Sequence, residues 1–402
     1  MSVKVLSPSK AYEQIESMFG SEIIHPEEVS EIDIIKTGSP SLDRALAVGG
    51  WPRGRMIQLA GKEASGKTFL SMKAIADWQA IDPENCACFI DAEYTYDPKW
   101  AESIGVDNDR VILVKTNEAA KIVTGLIGTV KTNKQSGKTV ITPGILEMAA
   151  EGKTITKKTL TGRVLEFNLA KLGIVVIDSI AAMVTPVEIE SAVGKQNIAL
   201  TARFLANELK KLTPYISDSN VAFFVINQVR VNVGQMFGNP ESNPGGKSLK
   251  HACSVMVNVA PLGGKDNQIF DDKDERIGHK IRAKIAKNKV GAAFKNADFT
   301  LKFDEGIVDV NEELLELYKH LDLVKRPNNR TYIFGNHTLT SKADAQKFVS
   351  LNFNYLEEVL RRNYILDEEI SFEGLIGIDD IPLASDKDVI ETATISDVDE
   401  LF

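Results

Sequence analysis

The chain has 402 residues, of which 26% are charged and 43% are hydrophobic, as is usual for a globular protein with one large core and smaller appendages. No apolar run approaches the roughly 18 residues that a membrane span needs, and the first residues lack a signal-peptide pattern, so we expect a cytoplasmic protein that does not bind membranes. The net charge is −9, but residues 367–402 hold 12 acidic residues and one basic residue, so the acidity is concentrated in a C-terminal tail on a nearly neutral body.

The cysteine pattern indicates a reducing environment. The three cysteines are odd in number, and Cys86 and Cys88 alternate along a predicted strand, with Cys253 far away. They have no neighbouring cluster of Cys or His residues and therefore make a poor zinc site. We expect free thiols that are buried as small hydrophobic residues.

The N-terminal part is predicted to begin with a helix. Ser7 to Phe19 starts with Ser-Pro and repeats apolar residues at helical spacing, and Gly20 follows. The isoleucines of EIDIIKTG then predict a strand, and Ser41 is expected to start a short helix. A turn cluster, from Gly49 to Gly54, leads into the next strand.

The stretch GKEASGKT fits the phosphate-loop pattern of Gly, four residues and Gly-Lys-Thr. It lies between a short apolar strand, MIQLA, and a run with helical spacing, which makes a chance Gly-Lys loop the weaker interpretation. Backbone N–H groups of such a loop face an anion, and the helix N-terminus adds its positive dipole end. In this pattern Lys67 reaches the β- and γ-phosphates, and the Thr68 hydroxyl binds Mg²⁺. The predicted nucleotide-binding residues of this stretch are Gly61, Lys62, Glu63, Ala64, Ser65, Gly66, Lys67, Thr68 and Phe69.

Buried strands alternate with helices after this loop. The predicted helices cover Glu118–Lys131 and Ala199–Ile216. The predicted strands are CACFID, RVILVK, GIVVIDS and VAFFVINQVR, and the sheet continues through HACSVMVNVAPL and KIRAKIAKNK. This order predicts an α/β fold with a mostly parallel central sheet flanked by helices. Beyond Phe303, short helices and hairpin-like pieces predict a small α+β domain.

Residues 132–171 differ from their surroundings. The run from Lys131 to Lys171 holds eight basic and three acidic residues and has no clean periodicity. It contains a second SGKT, but Thr132 occupies the place of the required first glycine, so we do not predict a second phosphate loop. The segment either adds a basic surface for duplex DNA or a partner, or is an inert excursion.

Polar side chains follow three predicted strands, at the edge where an open parallel sheet binds ligands. Asp178 follows four apolar residues and is expected to hold Mg²⁺ through its water shell. Glu93, close behind Asp91, is placed to orient and deprotonate a water that attacks the γ-phosphate. Gln228 ends another strand, where its amide could sense that phosphate. Each alone could be a cap or a solvated strand end, but together they indicate an ATP site.

These residues lie in stretches that resemble the RecA recombinases, from residue 7 to residue 365 apart from the insertion 132–171. The matching stretches are TGSPSLDRAL, GKEASGKT, FIDAEYTYDP, VVIDSIAA, EIE, INQVR, MFGNPES with GGKSLK, and KNKV followed by AFK. Phosphate loops occur in many ATPases, whereas MFGNP followed by GG, and KNK, are nearly diagnostic at these spacings. The resemblance implies an oligomerisation helix and strand in residues 1–33, a RecA-like P-loop ATPase core in 34–303 and a small domain in 304–365. The charge pattern predicts an acidic, disordered tail in 366–402.

The resemblance also implies roles at the ATP site. Trp100 packs on adenine, and Asp97 belongs to the same nucleotide-binding stretch. Lys287 and Lys289 match lysines that reach across a subunit boundary to the neighbour's ATP phosphates, where they neutralise developing charge. Without the resemblance, we would interpret Trp100 as a core residue and the two lysines as part of a solvated edge strand. The implied catalytic residues are Lys67, Glu93, Gln228, Lys287 and Lys289.

Two loops are expected to face DNA. One runs from Glu188 to Gln196 and the other from Arg230 to Lys250, and both are typical of loops that order on a ligand. Their basic side chains can pair with phosphates without reading sequence, and the resemblance places apolar side chains between bases. The predicted DNA-binding residues are Lys195, Ile198, Arg203, Lys210, Arg230, Val233, Gly245, Gly246, Lys247 and Lys250.

The sequence therefore predicts a DNA-dependent ATPase that uses ATP and Mg²⁺, forms helical filaments on single-stranded DNA and exchanges strands with homologous duplex DNA. The alternatives are a hexameric RecA-fold motor, such as a helicase, and a non-catalytic filament scaffold.

His251 stands where the family usually has a Phe that links the DNA loop to ATP, which leaves that coupling open. The tail could compete with DNA for the basic loops, dock a single-strand-binding or loader protein, or only aid solubility. The C-terminal region resembles phage-encoded recombinases more than bacterial ones in the stretch DEGIVDVNEELLELYKHLDLV. We therefore expect the protein in the cytoplasm of a bacterial cell or, if a phage encodes it, of an infected host cell.

Overall fold

A computed structural model of the chain describes residues 32–132, 139–190, 198–228, 230–231, 241–242, 246–293 and 295–378. Within these ranges, residues 198–203, 205–206, 230–231, 241–242 and 246–248 are described by their backbone alone. The predicted helix from Ser7 to Phe19 and most of both predicted DNA loops therefore lie outside the described residues. In the described part, no helix is both long and apolar enough to cross a membrane.

The described residues form strands and helices with the following bounds. The strands are β1 Ile34–Ile35, β2 Trp51–Pro52, β3 Arg55–Gly61, β4 Cys86–Asp91, β5 Val111–Lys115, β6 Thr129–Thr132, β7 Thr139–Thr142, β8 Thr154–Lys158, β9 Val164–Asn168, β10 Leu172–Asp178, β11 Ala222–Gln228, β12 Arg230–Val231, β13 Glu241–Ser242, β14 Val255–Pro261, β15 Gln268–Phe270, β16 Arg276–Asn288, β17 Asn296–Lys302, β18 Gly306–Val308, β19 Tyr332–Phe334 and β20 His337–Leu339. The helices are α1 Pro40–Leu46, α2 Lys67–Ile81, α3 Pro98–Ser103, α4 Ala119–Ile127, α5 Ile145–Ala150, α6 Pro186–Glu190, α7 Ile198–Asp218, α8 Gly246–Ala252, α9 Val310–His320, α10 Lys342–Leu351 and α11 Phe353–Leu366.

One large sheet organises the chain. Its strand order is β18-β17-β16-β14-β3-β11-β10-β4-β5, and β15 lies beside β16. The six strands from β14 to β5 are parallel, whereas β15, β16, β17 and β18 pair in antiparallel fashion. The predicted α/β fold is confirmed. The carboxyl ends of the parallel strands meet at one edge, and the polar side chains of the candidate site lie there.

Hydrophobic clusters cover both faces of this sheet. Successive side chains of β10 alternate between them: Ile174 and Val176 belong to one cluster, and Val175 and Ile177 to the other. Every residue of β10 is buried, so the strand reads as a continuous apolar run. The three cysteines are free and buried, as predicted, and burial raises the pKa of each thiol to about 12.

Three helices have bounds that differ from the prediction: α1, α4 and α7, of which α7 runs from Ile198 to Asp218 instead of from Ala199 to Ile216. Helix α1 begins at Pro40, one residue before the expected start, because the Ser39 hydroxyl caps it by accepting a hydrogen bond from the Leu42 N–H at 3.2 Å. Helix α4 ends at Ile127 rather than Lys131. Gly128 follows with a φ of 79°, and a Cβ there would lie 2.3 Å from the Thr142 carbonyl oxygen. The chain then turns into the hairpin of β6 and β7.

Part of the insertion at residues 132–171 packs into the hydrophobic core beside the sheet. It forms β7, α5, β8 and β9, and four of its side chains are buried in the cluster that covers one face of the sheet. These residues are Leu146, Ala149, Phe167 and Leu169.

Polar contacts tie the insertion to the edge of the sheet. Asp109 accepts hydrogen bonds from the Thr161 hydroxyl and from Arg163, the latter at 3.1 Å. The ammonium of Lys157 donates to the carbonyl oxygen of Leu113, 3.3 Å away on the edge strand β5. The insertion therefore occupies hydrogen-bonding capacity that an edge strand otherwise presents to solvent.

A third hydrophobic cluster joins α9, α10 and α11 to the β19–β20 hairpin. It corrects the prediction of a disordered tail from residue 366. Leu375 is only 9% exposed in this cluster, and the Asn352 side chain bonds to both the N–H (2.8 Å) and the carbonyl oxygen (3.0 Å) of Ile376. Residues 372–378 thus belong to the C-terminal packing.

Candidate nucleotide-binding site

The phosphate loop has the backbone that its glycines were expected to allow. Gly66 precedes α2 with a φ of 91°, and a Cβ there would approach the Ile281 side chain to 2.8 Å. A Cβ on Gly61 would lie 2.2 Å from the Val259 carbonyl oxygen. Glycine is therefore favoured at position 66 by its left-handed backbone conformation and required at position 61 by close packing against a backbone oxygen.

Lys67 lies folded over this loop. Its ammonium donates hydrogen bonds to the Lys62 carbonyl oxygen at 2.5 Å and to the Ser65 hydroxyl at 3.3 Å. Burial lowers the pKa of Lys67, while the negative charges of Asp178 and Glu93 oppose that shift. The loop thus holds a cation beside the backbone N–H groups of a helix N-terminus, which is an anion-binding arrangement.

Strand β10 brings its terminal carboxylate to the first turn of α2. The Thr68 hydroxyl donates to Asp178 Oδ2 at 2.7 Å. Burial raises the pKa of Asp178 to about 6, although this hydrogen bond acts in the opposite direction. The two groups that the sequence assigned to Mg²⁺ are therefore in direct contact.

The loop after β4 positions Glu93 beside Asp178. The backbone N–H groups of Ala92 and Glu93 donate to the Asp178 carbonyl oxygen at 2.8 and 3.3 Å. Glu93 Oε1 accepts hydrogen bonds from the Ser179 hydroxyl and from Gln228 Nε2, the latter at 3.3 Å. Three strand ends, those of β4, β10 and β11, thus meet around one carboxylate.

Two neighbouring carboxylates shape the chain instead of facing this centre. Asp91 accepts the N–H groups of Thr95 and Tyr96, both at 3.0 Å, and so closes the loop that carries Glu93. Asp97 caps α3 by accepting from the N–H groups of Lys99 at 2.9 Å and Trp100 at 3.4 Å. In this structure Asp97 positions the helix that carries Trp100.

Trp100 borders a cavity of about 220 Å³ next to the phosphate loop. The loop supplies one side, and β16 and β17 supply His279 and Leu301, with Phe303 just beyond the end of β17. Sequence reasoning missed His279 and Phe303, because no local motif marks them and only strand pairing brings them here. It also missed Ser179, although its place directly after Asp178 was a usable signal.

The two lysines of the KNK motif reach the C-terminal end of α8. Lys287 Nζ donates to the carbonyl oxygens of Lys250 and Cys253, the latter at 2.6 Å, and Lys289 Nζ lies 3.5 Å from the His251 carbonyl oxygen. Burial and the nearby Lys289 lower the pKa of Lys287. Both side chains therefore point to the same region, next to the predicted second DNA loop.

The structure covers the predicted DNA-binding residues only in part. Lys210 on α7 and Lys250 on α8 are exposed. Lys195, Val233 and Gly245 lie outside the described residues. The remaining predicted residues lie on described backbone, but their side chains are outside the description; they are Ile198, Arg203, Arg230, Gly246 and Lys247.

The parallel sheet, the phosphate loop and the carboxylates at the strand ends define a P-loop nucleotide-binding protein. A model of the RecA N-terminal domain matches residues 6–133 and 164–308, and the unmatched stretch between them lies within the insertion. The chain is 32% identical to Protein RecA of Rhodopirellula baltica over 353 residues, which cover 87% of this chain and 82% of the relative. It is 32% identical to Protein RecA of Methylococcus capsulatus over 378 residues, which cover 93% of this chain and 94% of the relative. It is 34% identical to Protein RecA of Francisella tularensis subsp. novicida over 364 residues (89% of each chain).

The chain belongs to the RecA family. It is therefore a recombinase with DNA-dependent ATPase activity, which binds a nucleotide and DNA and forms filaments. The family match favours this activity over the hexameric motor and the non-catalytic scaffold.

Proposed function

We propose that the strand-end site binds ATP with Mg²⁺ and that Glu93 is the general base of hydrolysis. The observation that carries this proposal is the junction of Thr68, Asp178 and Glu93 around the start of α2. Among the described residues there is no cluster of three or more His, Cys, Asp or Glu side chains that could hold a metal by themselves. One carboxylate and one hydroxyl suit Mg²⁺, which usually takes few protein ligands and completes its shell with waters and phosphates.

The residues of the loop fit the phosphates. The Lys67 ammonium is held above the loop by one carbonyl and one hydroxyl, which a more strongly charged partner can replace. Thr68 and Asp178 would hold the metal, which supplies neutralisation of phosphate charge when bound. Glu93 would orient a water and accept its proton, and Ser179 and Gln228 keep that carboxylate in position.

We also propose that Lys287 and Lys289 act on the ATP of a neighbouring protomer in the filament. Their contacts with the carbonyls of α8 support a link between this role and DNA, because α8 follows the predicted second DNA loop. The predicted arm in residues 1–33 would connect protomers. Lys195, Arg203, Lys210, Arg230, Lys247 and Lys250 would bind DNA phosphates, with Ile198 and Val233 between bases and Gly245 and Gly246 in the loop.

The test is turnover of ATP with and without single-stranded DNA, with negative-stain images of the same samples, for the wild type and Lys67→Ala. We expect DNA-stimulated, Mg²⁺-dependent turnover with helical filaments for the wild type and no turnover for the variant. Replacing Mg²⁺ by EDTA should abolish turnover. Wild-type turnover that survives EDTA, or a Lys67→Ala variant that turns over normally, would contradict the assigned site.

A further inference from the structure

His279 is a buried polar residue that the nucleotide chemistry above does not use. It lies on β16, is 2% exposed and borders the cavity beside the phosphate loop. Its Nε2 atom is buried and has no hydrogen-bond partner among the residues that the structure describes. An unpartnered buried donor or acceptor is costly, so a group of this kind next to a cavity points to a ligand.

The partner of the other ring nitrogen fixes the tautomer. An Arg276 guanidinium nitrogen lies 2.9 Å from His279 Nδ1. A guanidinium can only donate, so Nδ1 accepts, and the proton of the neutral ring is on Nε2. Burial and the positive charge of Arg276 both lower the pKa of His279, which keeps the ring neutral. The unpartnered atom is thus an N–H donor.

The surroundings indicate what the donor meets. Trp100 and Phe303 border the same cavity, and the Phe303 ring is 5.5 Å from the His279 ring in an edge-on arrangement. Aromatic walls suit the flat face of a base, while the phosphates belong at the loop beside Lys67. A purine base in this cavity carries ring nitrogens that accept hydrogen bonds.

We propose that His279 donates a hydrogen bond from Nε2 to a ring nitrogen of adenine and so contributes to the selection of the nucleotide. This inference rests on the proposed function, since it assumes that the base lies beside the phosphate loop. It assigns a specificity-determining role to a residue that lies on the antiparallel side of the sheet, outside every nucleotide motif of the sequence.

The test compares ADP with its 1-deaza, 3-deaza and 7-deaza analogues, each of which replaces one ring nitrogen by C–H. Dissociation constants are measured by calorimetry on the full-length wild type. One analogue should bind about tenfold more weakly than ADP, because it leaves the buried donor unpaired, and the other two should bind within about twofold. Equal binding of all four nucleotides would overturn the inference without affecting the proposed ATP site. Failure of the wild type to bind ADP at all would overturn both.

Variants separate a hydrogen bond from mere packing. In His279→Leu, ADP should bind about tenfold more weakly, and the discrimination between ADP and the sensitive analogue should disappear. His279→Gln can place an N–H near the Nε2 position and should restore part of the discrimination. His320→Leu, a histidine substitution in the C-terminal part, is the matched control and should bind all four nucleotides as the wild type does. Discrimination that persists in His279→Leu would overturn the inference.

Discussion

Gln228 Nε2 donates a hydrogen bond to Glu93 Oε1 across 3.3 Å, which joins the last residue of β11 to the proposed general base. The chain continues from Gln228 directly into the predicted second DNA loop. We expect a displacement of that loop by DNA to change the hydrogen bonding of Glu93, because the loop follows Gln228 in the sequence.

The Gln228→Ala variant should lose most of the stimulation of ATP turnover by single-stranded DNA, because alanine removes the only side-chain contact of this residue with Glu93 found in the described part of the chain. We expect stimulated turnover to fall about tenfold, in keeping with the loss of one hydrogen bond at a catalytic group. Steady-state rates with and without DNA measure this. The control is Gln268→Ala, on β15, which should behave as the wild type. Full stimulation in Gln228→Ala would show that this contact does not transmit the signal.

The Glu93→Gln variant should bind ATP and form DNA-bound filaments but turn over about 10³-fold more slowly. The amide has the same shape and can still accept from Ser179, but it cannot take a proton. Turnover assays and electron microscopy of the same samples test both parts of the expectation. Turnover near the wild-type rate would remove Glu93 from the role of base.

The Phe167→Ala variant should lower the free energy of unfolding by about 3 kcal/mol, because it leaves a cavity where the insertion packs on the sheet. Phe167 is 5% exposed in the core, whereas Val164 on the same strand is 66% exposed. Val164→Ala is therefore the matched control and should change stability by no more than about 0.5 kcal/mol. Denaturant unfolding measures both. Equal small effects would mean that the insertion does not contribute to the core.

The Glu313→Gln variant should be more stable than the wild type at pH 8 but not at pH 4. Glu313 Oε1 accepts from the Ser39 hydroxyl and the Ser41 N–H, both at 2.6 Å, and burial raises its pKa from 4.5 to about 7. The folded state thus holds this proton more tightly than the unfolded state. The resulting stability is present below pH 4.5 and is lost as the pH rises through about 7.

Glutamine keeps both hydrogen bonds without this loss. We expect its melting temperature to exceed that of the wild type by about 3 °C at pH 8, with no gain at pH 4. Burial also raises the pKa of Asp43 to about 7. Asp43 should therefore lower the free energy of unfolding as the pH rises through about 7, equally in the wild type and in the variant. A melting-temperature difference that does not change between pH 4 and pH 8 would contradict the assignment of a raised pKa to Glu313.

Removal of residues 379–402 should tighten binding to single-stranded DNA and make it more resistant to salt. This segment holds eight acidic residues and one basic residue and can compete with phosphates for basic loops. Truncation after Ile378, rather than after Leu366, leaves the packed Leu375 in place. Fluorescence anisotropy at several salt concentrations tests the prediction. Unchanged affinity would reduce the segment to an aid to solubility.

The sequence predicted the features that short motifs encode. The phosphate loop is local, and its glycines have the geometry that their spacing implied. The contact of Thr68 with Asp178 followed from the rule that parallel strands end at one edge. The role of Asp97 as a helix cap had a local signal that was not used, because Asp followed by Pro98 is typical of a helix start. The approach of His279 to the loop depends on the pairing of β16 with β17, which no local pattern specifies. The packing of residues 372–378 was not predicted, because Phe372 and Leu375 lie among acidic residues in the sequence.

A shortened chain that lacks residues 132–171 would lose the contact of Lys157 with the Leu113 carbonyl oxygen. Deletion of the insertion would uncover the outer edge of β5, whose backbone groups could then pair with a strand from another molecule. A filament-forming protein brings many copies into proximity, which makes such pairing especially favourable. A shortened chain would be prone to aggregate by sheet extension, independently of DNA and nucleotide.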